Sequence, residues 1–451
     1  MKIRIKSLFF LLLLAVLCAG GILFYLAFLE NNIPELIVQP QSTFVTAKTS
    51  FTLFAKDIES GLDIVQVTAT QGGEKHIILS QMFPAKTTEW SATFSLSGIK
   101  LKEGPLELQI SCTDKSWNHM GKGNTRLIDR SLIIDTIAPV IGVVSRQHNL
   151  AIGGSGLAVY TLSEPAPKTG IIVGKYFFPG FKDADTNDYL CFFSFPYDAN
   201  PTTDVPQVIA VDEAGNEART GIYYHLIPKI FKKDTIQISD NFLEQKMGQF
   251  KATFPEATSS LDLFLKVNTE GRIKNRQQLH NVASQTNPAI LWQGSFIRQP
   301  GAASRATFGD KRTYFHNGQI IDHQRHLGID LASIARDKVQ ACNSGKIVFA
   351  NFLGIYGNVL ILDHGMGLQS LYAHLSQFLV KKGDEVKRGQ IIARTGATGM
   401  AGGDHLHLGI ILSGVPVNPV EWWDSHWIKN NITTKIATAR QEIRSDAPAT
   451  K

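Results

Sequence analysis

Cysteine is scarce in this chain of 451 residues: there are four, Cys18, Cys112, Cys191 and Cys342. The last three are scattered and odd in number, which argues against a disulfide framework, and no two lie close enough for a Cys-ligated metal site. They read as buried thiols. Charge is also sparse, with 19 % charged residues where soluble domains average about 25 %. Set beside 43 % hydrophobic residues, that balance excludes both a disordered chain and a polytopic membrane protein. The net charge of +6 is small for this length and reads as a solubility charge, with no nucleic-acid partner implied. At roughly 100 to 200 residues per domain, the length leaves room for three or four domains.

One long apolar run is present. Lys2, Arg4 and Lys6 precede residues 8–29, and Glu30, Asn31 and Asn32 close the run. About 20 such residues cross a hydrocarbon core as a helix, whereas the apolar part of a cleaved signal is roughly 7 to 15 long. Cations before the run and none just after it place the N-terminus in the cytoplasm. Residues 1–32 therefore read as a cytoplasmic stub and a single-pass signal anchor in the lipid bilayer of the inner membrane. The bulk of the chain would then be extracytoplasmic or periplasmic. A cleaved signal is the alternative. Leu17 is too bulky for Cys18 to suit a lipoprotein site.

Residues 33–137 and 138–227 consist of short β-type runs, such as 50–55, 63–70, 106–112 and 207–211, separated by turn residues. That spacing predicts two antiparallel sandwiches. A faint repeat supports the pair: a strand runs into Asp114 and another into Asp212, each with an Asn four residues later, Asn118 and Asn216. An Asp-to-Asn spacing of this kind suits a turn closed by side-chain hydrogen bonds. Both segments resemble bacterial immunoglobulin-like domains with their Ala-x-Asp-x-x-Gly-Asn ending, which the second copy keeps better. The resemblance implies spacers that hold the next domain off the membrane.

Residues 228–290 read as a linker (Pro228, Lys229, Lys232, Lys233) followed by a helical segment. Leu243, Met247 and Phe250 fall at helical spacing, as do Leu261, Phe264 and Leu265 after the capping serines Ser259 and Ser260. Two helices are expected between about 240 and 284, with Pro255 in the break and packing as their role.

Eight of the 13 histidines lie between His316 and His426. Three segments concentrate them: His326-Leu327-Gly328-Ile329-Asp330, Tyr372-Ala373-His374-Leu375, and Asp404-His405-Leu406-His407-Leu408. Side chains alternate on a strand, so His405 and His407 share a face while Leu406 points to the core. A straight strand would hold His326 and Asp330 about 13 Å apart, too far for one ion. The backbone must bend between them, and Gly328 permits it. One Asp and two His form a three-donor set that leaves a tetrahedral zinc with an open position, as catalytic sites require.

These motifs, with Phe308-Gly309, Gly383-Asp384-x-Val386-x-x-Gly389-Gln390 and Thr395-Gly396-x-Thr398-Gly399, resemble the lysostaphin/LytM-type zinc metallopeptidases, bacterial cell-wall endopeptidases. The resemblance covers residues of about 305–420 within a domain of 291–428, with 429–451 as a polar, frayed tail. It implies His326, Asp330 and His407 as ligands of one Zn2+, and His374 and His405 as catalytic partners. Asp404 and Leu408-Gly409 depart from the family's usual Gly-Pro before, and Phe-Glu after, its His-Leu-His. Neither departure removes a ligand, though Asp404 is expected to affect substrate fit or His405. Glycines such as Gly357, Gly365, Gly383 and Gly389 punctuate β-type runs as hairpins require. His364 reads as a turn residue, while His316, His323 and His426 lie outside the motifs.

The expected fold is mainly β: an N-terminal transmembrane helix, two immunoglobulin-like sandwiches, a short helical segment and a C-terminal antiparallel β metallopeptidase domain. The implied substrate is peptidoglycan, and the implied reaction is zinc-assisted hydrolysis of its peptide cross-links. His374 or His405 would act as base, with the other stabilising the oxyanion. An inactive envelope protein that binds peptidoglycan or activates another hydrolase is the alternative.

Overall fold

The computed structural model describes the backbone of residues 2–28, 30 and 32–446, and the side chains of residues 8–22, 30 and 32–441. Lys2–Phe28 is one helix. Among the described residues no helix is long and apolar enough to cross a membrane, so the anchor expected over residues 8–29 is not supported.

The chain divides into two compact units, one of residues 1–138 with 211–217, the other of residues 139–210 with 218–451. The first unit holds a three-stranded sheet of Glu35–Gln39, Phe51–Lys56 and Glu89–Phe94, and a five-stranded sheet built around Gly104–Asp114. Alternation along Phe51–Lys56 buries Phe51, Leu53 and Ala55 in one core with Val65, Val67, Leu108 and Ile110 of the other sheet. Of the two expected Asp-to-Asn turns, the one at Asp212 forms. Asp212 Oδ1 accepts from the backbone N–H groups of Gly215 (2.7 Å) and Asn216 (2.8 Å). Asp114 departs from the repeat, because it accepts from the backbone N–H and the side chain of Asn124 at 2.7 and 2.8 Å rather than from Asn118. A β-sandwich is what these sheets show, and nothing in them singles out the immunoglobulin family.

In the second unit, residues 139–210 and 218–227 contribute to two four-stranded sheets. They do not stand apart from the histidine-rich region: Phe192 and Trp422 rings lie 5.9 Å apart, and Trp422 also meets Trp292 and Phe296 at 5.7 and 5.3 Å. This segment is thus built into the same body as the candidate site rather than strung as a free spacer. Residues read as linker contain a strand, Lys233–Gln237, which pairs in parallel with Lys311–His316. The tail expected to fray is helical, with Lys429–Thr433 as a π-turn running into Thr434–Asp446, and it buries Ile432 and Ala439; residues 447–451 lie outside the described ones.

The site rests on a large antiparallel sheet ordered Ala303–Ala306, Ile329–Ala332, Leu406–Leu412, Leu368–Ala373, Asn358–Gly365, Gly345–Phe352 and Glu385–Val386. Its central strands are buried on both faces, which is why they read as continuous apolar runs. Ile361, Leu371 and Ile411 pack against Phe264 and Leu279 of the helical segment. Their alternates Leu360, Leu362, Tyr372 and Ile410 belong to the core of Trp292, Phe296 and Trp422. Each such side chain contributes about 1.5 to 3 kcal/mol by leaving water.

The helical segment forms Asp240–Met247, Ser260–Lys266 and Arg272–Ala283, with a π-turn at Val267–Gly271. Ser259 caps as expected, its side chain accepting from Asp262 N.

Candidate metal centre

Register explains how residues distant in sequence converge. Asp330 lies directly opposite His407 across one strand pair, and His407 lies opposite Ala373 across the next. Side chains so paired have Cβ atoms about 5 Å apart. Just upstream, the backbone of His326 is clamped on both sides, its carbonyl accepting from Gly309 N (2.7 Å) and its N–H donating to Asp310 O (3.0 Å). The result brings together the three expected ligands. His326 Nε2 and His407 Nδ1 lie 2.9 and 2.8 Å from Asp330 Oδ1 and 3.0 Å from each other.

Gly328 is needed here, though not for the bend alone. A Cβ on it would meet His407 Nε2 at 2.4 Å and Leu408 O at 2.8 Å, so the glycine lets the His407 ring approach the strand. That same Nε2 is buried without a hydrogen-bond partner.

The two remaining histidines flank the cluster. His405 Nε2 lies 3.5 Å from Asp330 Oδ1. The rings of His374 and His405 are 4.8 Å apart, and His374 lies 5.8 Å from His407. His374 follows strand Leu368–Ala373 with φ of 61°, a left-handed conformation that costs a non-glycine residue about 1 to 3 kcal/mol and tends to mark functional sites. Each ring is oriented by an Nδ1–H donated to a backbone carbonyl: His326 to Thr307 (3.0 Å), His374 to Thr398 (2.9 Å) and His405 to Gly403 (2.9 Å). With Nδ1–H so engaged, Nε2 is the atom of each ring that takes up a proton or a metal.

Protonation states favour cation binding. Burial pushes the Asp330 carboxyl up, but the charge of His326 and the bonds from His326, His405 and His407 outweigh it and hold the group well below the usual carboxylate range. Burial brings His407 down to about 4. A metal takes an ionised carboxylate and a neutral imidazole, the states that Asp330 and His407 hold here. The candidate ligand atoms of all three residues lie within 4.8 Å of one another. The two flanking histidines differ. His374 is held well below its ordinary value by burial, then by His405 and His407. His405 is also pushed down by burial, yet the bond and charge of Asp330 win and leave it raised.

Arg312 was not legible as a site residue. Its Nη2 donates to Asp330 Oδ2 at 3.0 Å, and its Nε lies 3.6 Å from Asp234 Oδ2 on the unexpected strand. The Asp330 charge raises its pKa despite burial. The pocket around the cluster, about 280 Å3, is walled in part by Phe242, Phe264 and Arg272 of the helical segment, and by Tyr356. Lys246 of helix Asp240–Met247 donates to Ala397 O at 2.6 Å and Gln249, in the turn after it, to Gly399 O at 3.1 Å, so this part of the helical segment clamps the loop whose Thr398 carbonyl holds His374.

Other histidines serve elsewhere. His364 is no turn residue: it is fully buried, bonded to Ser344 O and Ser370 Oγ at 2.7 Å each. His316 faces Ile238 O, and His323 faces Thr313 Oγ1. Asp404 accepts from Arg336 N at 3.0 Å.

Residues 324–419 match the model of Peptidase family M23, and the chain carries an M23 domain there. Among curated proteins, DD-carboxypeptidase/endopeptidase Mpg of Neisseria meningitidis is 42 % identical over 95 residues, 21 % of this chain and 22 % of that protein. Peptidoglycan DD-endopeptidase ShyB of Vibrio cholerae is 35 % identical over 114 residues, 25 % of this chain and 26 % of that protein. Murein hydrolase activator EnvC of Escherichia coli is 34 % identical over 104 residues, 23 % and 25 % respectively. The chain spans about a quarter of the length of the curated relatives it matches.

Proposed function

We propose that the chain is a zinc-dependent endopeptidase that hydrolyses peptide cross-links of bacterial peptidoglycan. The observation that carries this reading is the convergence of His326, Asp330 and His407 donors within 4.8 Å, with two oriented histidines beside them. Zinc held there supplies Lewis acidity toward the scissile carbonyl and toward water. His374, kept neutral by its burial and with Nε2 free, accepts a proton from the attacking water and passes it to the leaving amine. His405, oriented by its Nδ1–H bond to the Gly403 carbonyl, stabilises the developing oxyanion when protonated at Nε2.

An extracytoplasmic location at the inner membrane belongs to the same reading. Protease protection of the full chain in spheroplasts tests this: digestion from outside supports it, and full protection ends it.

The alternative, an inactive activator of another hydrolase, draws on the name of the Escherichia coli relative. Occupation of all five positions favours the enzyme. Mass spectrometry of sacculi digested with the zinc-loaded chain decides between them. New amino termini that disappear with chelation or His407→Ala support hydrolysis, and unchanged sacculi overturn it.

A further inference from the structure

The pocket wall supplied by the helical segment precedes the M23 match and has its own chemistry. Arg272 opens the helix Arg272–Ala283 directly after the π-turn and is half-buried in the wall. Its Nε donates to Asn268 Oδ1 at 2.9 Å and its Nη2 to Tyr314 OH at 3.3 Å. Asn268 is itself fully buried and fixed by a 2.6 Å bond to Asp322 Oδ2. The guanidinium is therefore aimed, and both of its partners are uncharged. A guanidinium has five N–H donors, so the Nη1 pair remains without an acceptor among the described residues. Arg312 in the same pocket differs, since Asp330 and Asp234 meet its charge.

We propose that Arg272 is the specificity-determining residue of the pocket, receiving a free carboxylate of an anionic peptide next to the scissile bond. An oriented guanidinium matches a carboxylate in a two-pronged bond that a neutral amide cannot reproduce. The surroundings agree in sign. Arg312 and Leu327 also line an adjoining hollow of about 470 Å3, where Arg276, Lys311, Arg325 and Lys175 outnumber Asp198. A strand of peptide carrying several carboxylates fits that field, whereas a glycine bridge offers it no side-chain carboxylate. Resting on the peptidase reading, the inference gives Arg272 the selection between cross-links that keep a free carboxylate beside the scissile bond and those in which it is amidated.

The test uses the full chain, loaded with zinc, and two soluble cross-linked muropeptide dimers. One carries meso-diaminopimelate with a free carboxylate, and in the other that carboxylate is amidated. For the unsubstituted chain, amidation is expected to raise KM at least about tenfold with kcat changed little. Arg272→Gln should raise KM on the free acid by a similar factor and leave the amidated dimer unaffected, with Arg272→Lys recovering part. Equal KM values for the two dimers, or an equal loss on both in Arg272→Gln, would overturn the proposal. Zinc content checks that the variant folds; if it does not, the amidation comparison alone decides. Calorimetric binding of both dimers separates this inference from the reading beneath it. Arg272-dependent preference for the free acid without cleavage would remove the peptidase and keep the carboxylate site. Indifferent binding, or none, would remove the site.

Discussion

Gly328 and His407 are in contact so close that the glycine has no room for a side chain: a Cβ would sit 2.4 Å from His407 Nε2. The relationship ties a position inside the His-x-Gly-x-Asp motif to His407, the ligand opposite Asp330 on the neighbouring strand. Gly328→Ala should push the His407 ring out of line with Asp330 while leaving the sheet formed. Zinc affinity, read by competition with a chromophoric chelator, is expected to fall about tenfold or more, as when the support of a metal ligand is lost. Unchanged affinity would show that the ring relaxes freely.

Removal of the flanking histidines should separate binding from chemistry. His374→Ala and His405→Ala are each expected to lower kcat on sacculi by about 10²- to 10⁴-fold, since each removes a proton-transfer or oxyanion group. Zinc content should remain near that of the unsubstituted chain, measured by elemental analysis. His326→Ala should lose zinc and activity together. If His374→Ala loses its zinc, that residue is a ligand and the roles assigned above are wrong.

Local spacing carried much of the site into view. His405 and His407 share a face because a strand alternates, and the five residues singled out in sequence do converge. What spacing could not show is register. Nothing in the sequence says that Asp330 pairs with His407, or that Arg312 reaches Asp330 Oδ2 from a separate hairpin. Residues 228–240 looked like a linker because lysines and a proline dominate them, yet Asp234 on that strand lies near Arg312. His364 looked like a turn residue between Asp363 and Gly365. Its burial becomes visible only once Ser344, Ser370 and Cys342 surround it.

Arg312 should matter without touching the metal. By holding Asp330 Oδ2, it presents Oδ1 to the cluster. Arg312→Met is expected to weaken zinc binding about tenfold, and Arg312→Lys less, because an ammonium keeps the charge but loses the planar fork. Chelator competition at fixed pH measures both. Equal losses in the two variants would mean that geometry, rather than charge, is what Arg312 supplies.

Acid should destabilise the fold through two histidines remote from the metal centre. His148 is buried, with Ser145 Oγ and Tyr223 O at 3.0 and 2.9 Å, and His364 is buried as described. Burial lowers each to about 4 from 6.5. Unfolded histidines take up a proton below about pH 6.5, whereas these folded ones wait until about pH 4. Over that window the unfolded state binds more protons, so stability falls as pH falls and is fully present above about 6.5. At about 1.4 kcal/mol per pH unit, each histidine can remove up to about 3 kcal/mol. Urea midpoints at pH 7.5 and 4.5 should differ accordingly. His364→Gln keeps a donor and an acceptor but cannot titrate, so the difference between those midpoints should shrink. A difference that survives both His364→Gln and His148→Gln would place the acid sensitivity elsewhere.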